Sequence, residues 1–174
     1  GDPMRVYRAM SMTGVDHLFC DPWNARTYKE AQSVAELDGK RFMCELLGCA
    51  GWETTPLDMR RAVNNALAMS VSNIVPHGVY SDRHHIENAH YAPDFFDWQP
   101  AWQWMREFAD YMRRGSFVVS QGSMDADTLL YNPLESVWAL LGDGAFDEEP
   151  SFENTYVYDR ENLPDCFEYG RTIE

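Results

Sequence analysis

Apolar positions along this chain alternate between short runs and helical stripes. The stretch "GVDHLFC" (14 to 20) reads as a strand with polar residues inserted, leading into the loop "DPWNA". In "TYKEAQSVAELDGK" (27 to 40), Ala31, Val34, Ala35 and Leu37 predict one modest apolar helix face, and Gly39 is placed to stop it. "RFMCE" (41 to 45) follows as a buried strand, and Leu46 to Gly51 as the loop leaving it. The clearest helix is residues 54 to 71, with Thr55 as N-cap, Pro56 at N1 and Asp58 at N3. Its apolar side is Leu57, Ala62, Val63, Ala66, Leu67 and Val71.

"SNIVPHGVY" (72 to 80) is a further short strand, ended by Pro76, and a long aromatic loop follows it. Residues 101 to 121 predict an amphipathic helix in which Trp104, Met105, Phe108, Ala109, Tyr111 and Met112 recur at core spacing. "DTLLYNPLES" (127 to 136) is a candidate strand and loop. Beyond Gly142 the chain turns acidic, and only residues 155 to 158 suggest another element. Strand, helix, strand, helix, strand is the pattern of α/β architecture with parallel strands.

In such a layout ligands meet the C-terminal ends of the strands. Three predicted strand ends carry polar groups: Asp16 and His17 with Asp21, then Glu45, then His77 with Tyr80. One polar strand end is ordinary, whereas three consecutive ones suggest a pocket floor. Glu45 reads either as a catalytic acid or as a loop cap. His77 reads either as a pocket hydrogen-bonding group or as a satisfied loop histidine. The aromatic residues Tyr91, Phe95, Phe96, Trp98 and Trp102 read mainly as packing, while Trp52 is the ring best placed to stack on a sugar.

Composition narrows the chemistry. The 174 residues are 45% hydrophobic and 14% aromatic, enough material for a packed core. The net charge is -14, from 28 acidic against 14 basic residues, and clustered basic residues are limited to Arg60-Arg61 and Arg113-Arg114. That balance argues against nucleic-acid binding and against an anionic membrane surface. No apolar run approaches the length of a membrane-spanning helix. Cys20, Cys44, Cys49 and Cys166 form no CxxC pair, and His84, His85, Glu87 and His90 fit no finger or helical ligand spacing, so no metal site is expected. Nucleophile-elbow, P-loop and dinucleotide-binding patterns are missing from the sequence, and no cofactor is expected. A strand-end carboxylate then points to carboxylate chemistry, of which glycoside hydrolysis is the commonest form.

The stretch "GKRFMCELLGCAGWETTPLDMRRAVNNALAMSVSNIVPHGVY" resembles the late barrel segment of bacterial glycoside hydrolases related to the α-L-rhamnosidases. There a strand ends in Ser-Glu or Thr-Glu, a Gly- and Trp-containing loop follows, and a helix leads to a strand of the type "VNHIVPHG". "FDWQPAWQWMREFADYMRRGSFVVSQGSMDADTLLYNPLESVWAL" is similar to the same family's exit helix and the first strand of a glutamine-amidotransferase-like domain. The resemblance covers residues 10 to 141. Cys44 departs from it by standing where a small hydroxyl residue is usual, and Asn132 departs from it before Pro133.

The resemblance implies a partial (β/α)8 (TIM) barrel, its last three or so βα units, over residues 1 to 121. Residues 122 to 174 would be the start of a following α/β domain or an irregular acidic tail. It implies that Glu45 is the catalytic carboxylate at the end of the seventh barrel strand, nucleophile or base. Asp16, His17, Trp52, His77 and Tyr80 would surround the substrate, a sugar derived from plant or microbial polysaccharide. The partner acid is expected on an earlier strand, upstream of Gly1, and the chain alone is expected to be inactive. An opening Gly1 in place of Met suggests a piece of something longer. The protein would be periplasmic or secreted if its parent carries a signal peptide, and cytoplasmic otherwise. Open strand edges predict self-association. The competing reading is a non-catalytic carbohydrate-binding or assembly module that uses the aromatic loop.

Overall fold

The computed structural model describes residues 2–19, 25–82, 93–131 and 172–173. Two compact units divide the chain, Gly1–Met124 and Asp125–Glu174. The sequence expectation put that division between residues 121 and 122.

The first unit opens with a helix that the hydrophobic pattern did not suggest, α1 (Pro3–Ala9). Its signal is local: the Asp2 carboxylate accepts from the backbone N–H groups of Met4 and Arg5, and Pro3 sits in the first turn. Then come β1 (Met12–Leu18), α2 (Ala25–Asp38), β2 (Arg41–Gly48), α3 (Pro56–Ala68) and β3 (Asn73–Pro76). A 3-10 turn at Trp102–Trp104 leads into α4 (Met105–Val119). The predicted strand over residues 72 to 80 is therefore shorter than expected, and the one over 41 to 45 is longer. In the second unit β4 (Leu129–Leu130) pairs antiparallel with β5 (Thr172–Ile173). Residues 132 to 136 of the predicted strand there, and residues 155 to 158, lie outside the described residues.

The fold is thus α/β, with a parallel three-stranded sheet in the order β1-β2-β3. Strand register sets two chemically different faces. Val15, Cys44 and Ile74 are neighbours across the sheet, as are Asp16, Glu45 and Val75. Side chains alternate along a strand, so these two rows point to opposite faces.

The Val15 row faces the helices. Val15, Phe42, Cys44 and Leu46 join Tyr28, Ala31 and Ala35 of α2 and Met59, Ala62, Val63 and Ala66 of α3 in one buried cluster. Both helices therefore pack on the same face, as consecutive right-handed crossovers in a steadily progressing strand order require. A hydrogen bond from Gln32 to Ser70 (2.6 Å) ties α2 to the end of α3. The other face is more open, and Val75 there remains 44% exposed.

The capping box at the start of α3 is present as the sequence predicts, with Thr55 and Asp58 reciprocally bonded. Three predicted apolar positions face outward instead: Leu37, Leu57 and Trp104 are exposed. Their places in the core are taken by Tyr28 and Gln32 on α2 and by Met59 on α3. Burying a side chain such as Met59 contributes about 2 kcal/mol. From α4, Met105 is buried, and Phe108, Tyr111 and Met112 pack partly buried against the core.

Candidate functional site

Polar side chains gather at the C-terminal ends of the three parallel strands. Glu45 lies on β2 in the row opposite the helices. On its β3 side, the His77 Nδ1 sits 3.1 Å from Glu45 Oε1. The backbone helps to place that histidine, because the His77 N–H donates to the Leu46 carbonyl at 2.8 Å and continues the β2–β3 ladder. A Cβ at Gly48 would press on Leu18 Cδ2 at 3.0 Å and meet His77 Nδ1 in ordinary contact at 3.5 Å.

On the β1 side, Asp16 is the register partner of Glu45. Parallel neighbours point the same way, so both carboxyl groups occupy one face. Asp16 remains open to water, yet its carboxyl is held above the ordinary aspartate value. Partial withdrawal from water is the larger cause and the Glu45 charge the second, with His77 and His17 pulling the other way. A second carboxyl group thus stands beside Glu45 on the neighbouring strand.

His17 goes elsewhere. One residue past Asp16, it points to the helix face, where it is buried. Its Nδ1 lies 2.6 Å from the Tyr28 hydroxyl, which lies 3.0 Å from Cys44 Sγ. The Cys44 thiol reaches the Glu45 carbonyl at 3.2 Å. Burial pushes the Cys44 thiol up to about 11, and it raises the Tyr28 hydroxyl as well, with the Cys44 contact as the next cause. Both groups are therefore neutral at neutral pH. Cys44 acts as a small polar bridge behind the site and is not a nucleophile.

The loop after β3 is strapped down by Asp94, which the sequence reading passed over. This carboxylate is fully buried and accepts from the backbone N–H groups of Tyr80 and Phe96, each at 3.0 Å. Phe95 N–H adds a bond to the Gly78 carbonyl at 3.3 Å. The strap brings Tyr80 to the site, where its ring meets that of His77 edge to face at 6.5 Å. The "APD" turn signal at residues 92 to 94 was the available clue. Trp52 lies half-buried in the turn after β2. Of the loop aromatics, Phe96 and Trp102 pack on each other at 5.1 Å and both stay exposed.

The backbone is strained around these strand ends. Phe19, Leu47 and Cys49 adopt φ values of 64°, 71° and 58°, unusual for residues with side chains. Leu47 makes the bulge at which Leu18 pairs with Gly48. Such strain collects where surrounding structure holds a site in place.

Asp21, His84, His85, Glu87, His90 and Tyr91 lie outside the described residues. Among the described residues, no group of three or more His, Cys, Asp or Glu side chains is placed to hold a metal ion. No described helix is long and apolar enough to cross a membrane. A cavity of about 440 Å³ lies at the far end of β2, beside Arg41 and Phe42, away from Glu45.

Comparison with protein-family models, with curated proteins and with solved structures finds no match to this chain.

Proposed function

We propose that the first compact unit supplies βα units of a glycosidase-type barrel, with Glu45 as the reacting carboxylate. The observation that carries this reading is the meeting of Asp16, Glu45 and His77 at the ends of three neighbouring parallel strands, on one face. Catalytic groups of (β/α)8 enzymes gather at the C-terminal ends of strands. The steady strand order, with α2 and α3 on one face, also suits a barrel wall, whose inner face would bear the Asp16 row. Glu45 has the hydrogen-bonded setting of a nucleophile or base, and His77 orients it. Tyr80 stands against His77 beside the position a sugar ring would take, Trp52 is assigned to the sugar by the resemblance, and the substrate class is a sugar derived from plant or microbial polysaccharide.

The chain alone is expected to turn over slowly, because three βα units provide only part of the surface a bound sugar needs. The test is a single-turnover assay with protein in excess over a panel of aryl glycosides. Wild-type chain should release aryl alcohol, and Glu45→Gln should slow release by about 1,000-fold. Equal rates would remove Glu45 from the chemistry. Sugar binding that quenches tryptophan fluorescence, without turnover and unaffected by Glu45→Gln, would favour a non-catalytic binding module instead.

Self-association belongs to the same reading. Among the described residues nothing pairs with the outer edges of β1 and β3. Unpaired parallel edges invite further strands. Sedimentation should show dimers or larger species, and a strictly monomeric chain would contradict this part of the reading.

A further inference from the structure

We infer that Tyr28 is a positioning residue for Glu45. It acts from behind the sheet through a one-way chain of hydrogen bonds, from His17 to Tyr28 to Cys44 to the Glu45 carbonyl. This rests on the reading of Glu45 as the reacting carboxylate, and deepens it by naming what holds that residue's backbone in place.

The direction of the chain follows from its protons. A carbonyl only accepts, so the Cys44 thiol donates its one proton to the Glu45 carbonyl at 3.2 Å. The 3.0 Å contact between Tyr28 and Cys44 is then made by the Tyr28 hydroxyl donating to Sγ. Tyr28 has no second proton to give, so at 2.6 Å its oxygen accepts from His17 Nδ1. His17 therefore carries a proton on Nδ1. Each donor in the chain has one acceptor, and all three side chains are buried, where such bonds strengthen one another.

The chain joins β1, α2 and β2 next to an irregular part of the sheet. The β1–β2 ladder is regular through the Asp16–Glu45 and His17–Leu46 pairs, then slips between His17 and Leu18. Just beyond, Leu47 and Cys49 stand at positive φ. Glu45 is thus one pair away from the slip. The Tyr28 ring is itself fixed, edge to face with His17 at 5.7 Å and with Phe42 at 6.0 Å. From the third strand, the His77 N–H holds the next carbonyl, that of Leu46, at 2.8 Å. Two consecutive peptide groups after Glu45 are so tied, one from behind and one from the side. The Glu45 side chain leaves the opposite face, so the chain acts on its backbone and not on its carboxylate. Such placement matters, because a shift of about 1 Å at a reacting group can cost about 100-fold in rate.

The experiment compares wild type with Tyr28→Phe, Cys44→Ala, Cys44→Ser and Met59→Ala, each as the full chain below its melting transition. Met59 is equally buried but lies outside the chain of bonds. In wild type, the ¹⁵N resonances of the His17 ring should show the proton on Nδ1. Tyr28→Phe and Cys44→Ala should each move the His77 ring and Glu45 carboxyl resonances. Each should also slow aryl glycoside cleavage by about 10-fold, with apparent substrate affinity changed less than about twofold. Combined, they should slow it no further, because both cut one chain. Cys44→Ser keeps a donor and an acceptor and should stay near wild type. Met59→Ala should lower Tm without moving the resonances or the rate of the folded protein. A His17 ring without a proton on Nδ1 overturns the proposal. So do losses that multiply in the double variant, and Glu45 and His77 resonances that ignore Tyr28→Phe. If the resonances respond but no glycoside is cleaved, the positioning stands and the glycosidase reading falls. If cleavage depends on Glu45 but is unchanged in Tyr28→Phe, the glycosidase reading stands and the positioning falls.

Discussion

The imidazole Nδ1 of His77 lies 3.1 Å from Glu45 Oε1, joining the end of β2 to the residue that follows β3. Both side chains keep access to solvent, 24% for His77 and 43% for Glu45. A pair this exposed contributes at most about 1 kcal/mol to stability. Under the proposed function its value lies in aiming the carboxylate. His77→Ala should therefore leave the midpoint of urea unfolding nearly unchanged while slowing aryl glycoside cleavage by about 10- to 100-fold. A large loss of stability with unchanged cleavage would make His77 a packing residue.

Asp16 gives a prediction with a definite sign. Its folded-state value is raised above the ordinary aspartate value of 3.8. The folded protein thus holds the Asp16 proton more tightly than the unfolded chain does. The stability linked to that proton is full below about pH 3.8 and is lost as pH rises through the folded value. Asp16→Asn removes the penalty for ionisation. It should raise Tm at pH 7 relative to wild type and leave it unchanged near pH 3, as read by circular dichroism. A Tm difference independent of pH would mean that Asp16 carries no such penalty.

Tyr28 holds the buried contacts behind the site, between His17 and Cys44. Tyr28→Phe keeps the ring and deletes the hydroxyl, leaving two buried polar groups without that partner. The loss should be about 1–3 kcal/mol in urea unfolding. The same burial makes the Cys44 thiol unreactive. Peptide mapping after native alkylation should find Cys49 labelled before Cys44, because Cys44 is fully buried and Cys49 only partly. Early labelling of Cys44 would mean that the helix layer opens readily.

Much of this arrangement was legible in the sequence, for reasons specific to each element. The start of α3 was readable because Thr55, Pro56 and Asp58 act locally, and so was the alternation of strands and helices. Three polar strand ends marked the site because strand order follows chain order in a progressing parallel sheet. Sequence spacing did not separate Asp16 from His17, because adjacent strand residues take opposite faces and the phase depends on which face the helices cover. The pairing of Asp16 with Glu45 was hidden for a related reason. It depends on the register between β1 and β2, which no local pattern encodes. Leu37 and Leu57 were assigned to the core by hydrophobicity alone. Tyr28 and Gln32 displaced the first of them because their polar ends find partners inside. Asp94 was overlooked because a buried loop carboxylate serving two backbone donors looks, in sequence, like any solvent-facing acid.

The most direct test of the account is covalent capture of its nucleophile. A cyclitol epoxide is opened by a carboxylate nucleophile and stays attached, so the adduct accumulates even where turnover is slow. The wild-type chain is incubated with a panel of such epoxides and mapped by peptide mass spectrometry. A single ester should form on Glu45, absent in Glu45→Gln and slowed in His77→Ala. An unmodified Glu45 across the panel, or an ester formed on another acid, would contradict it.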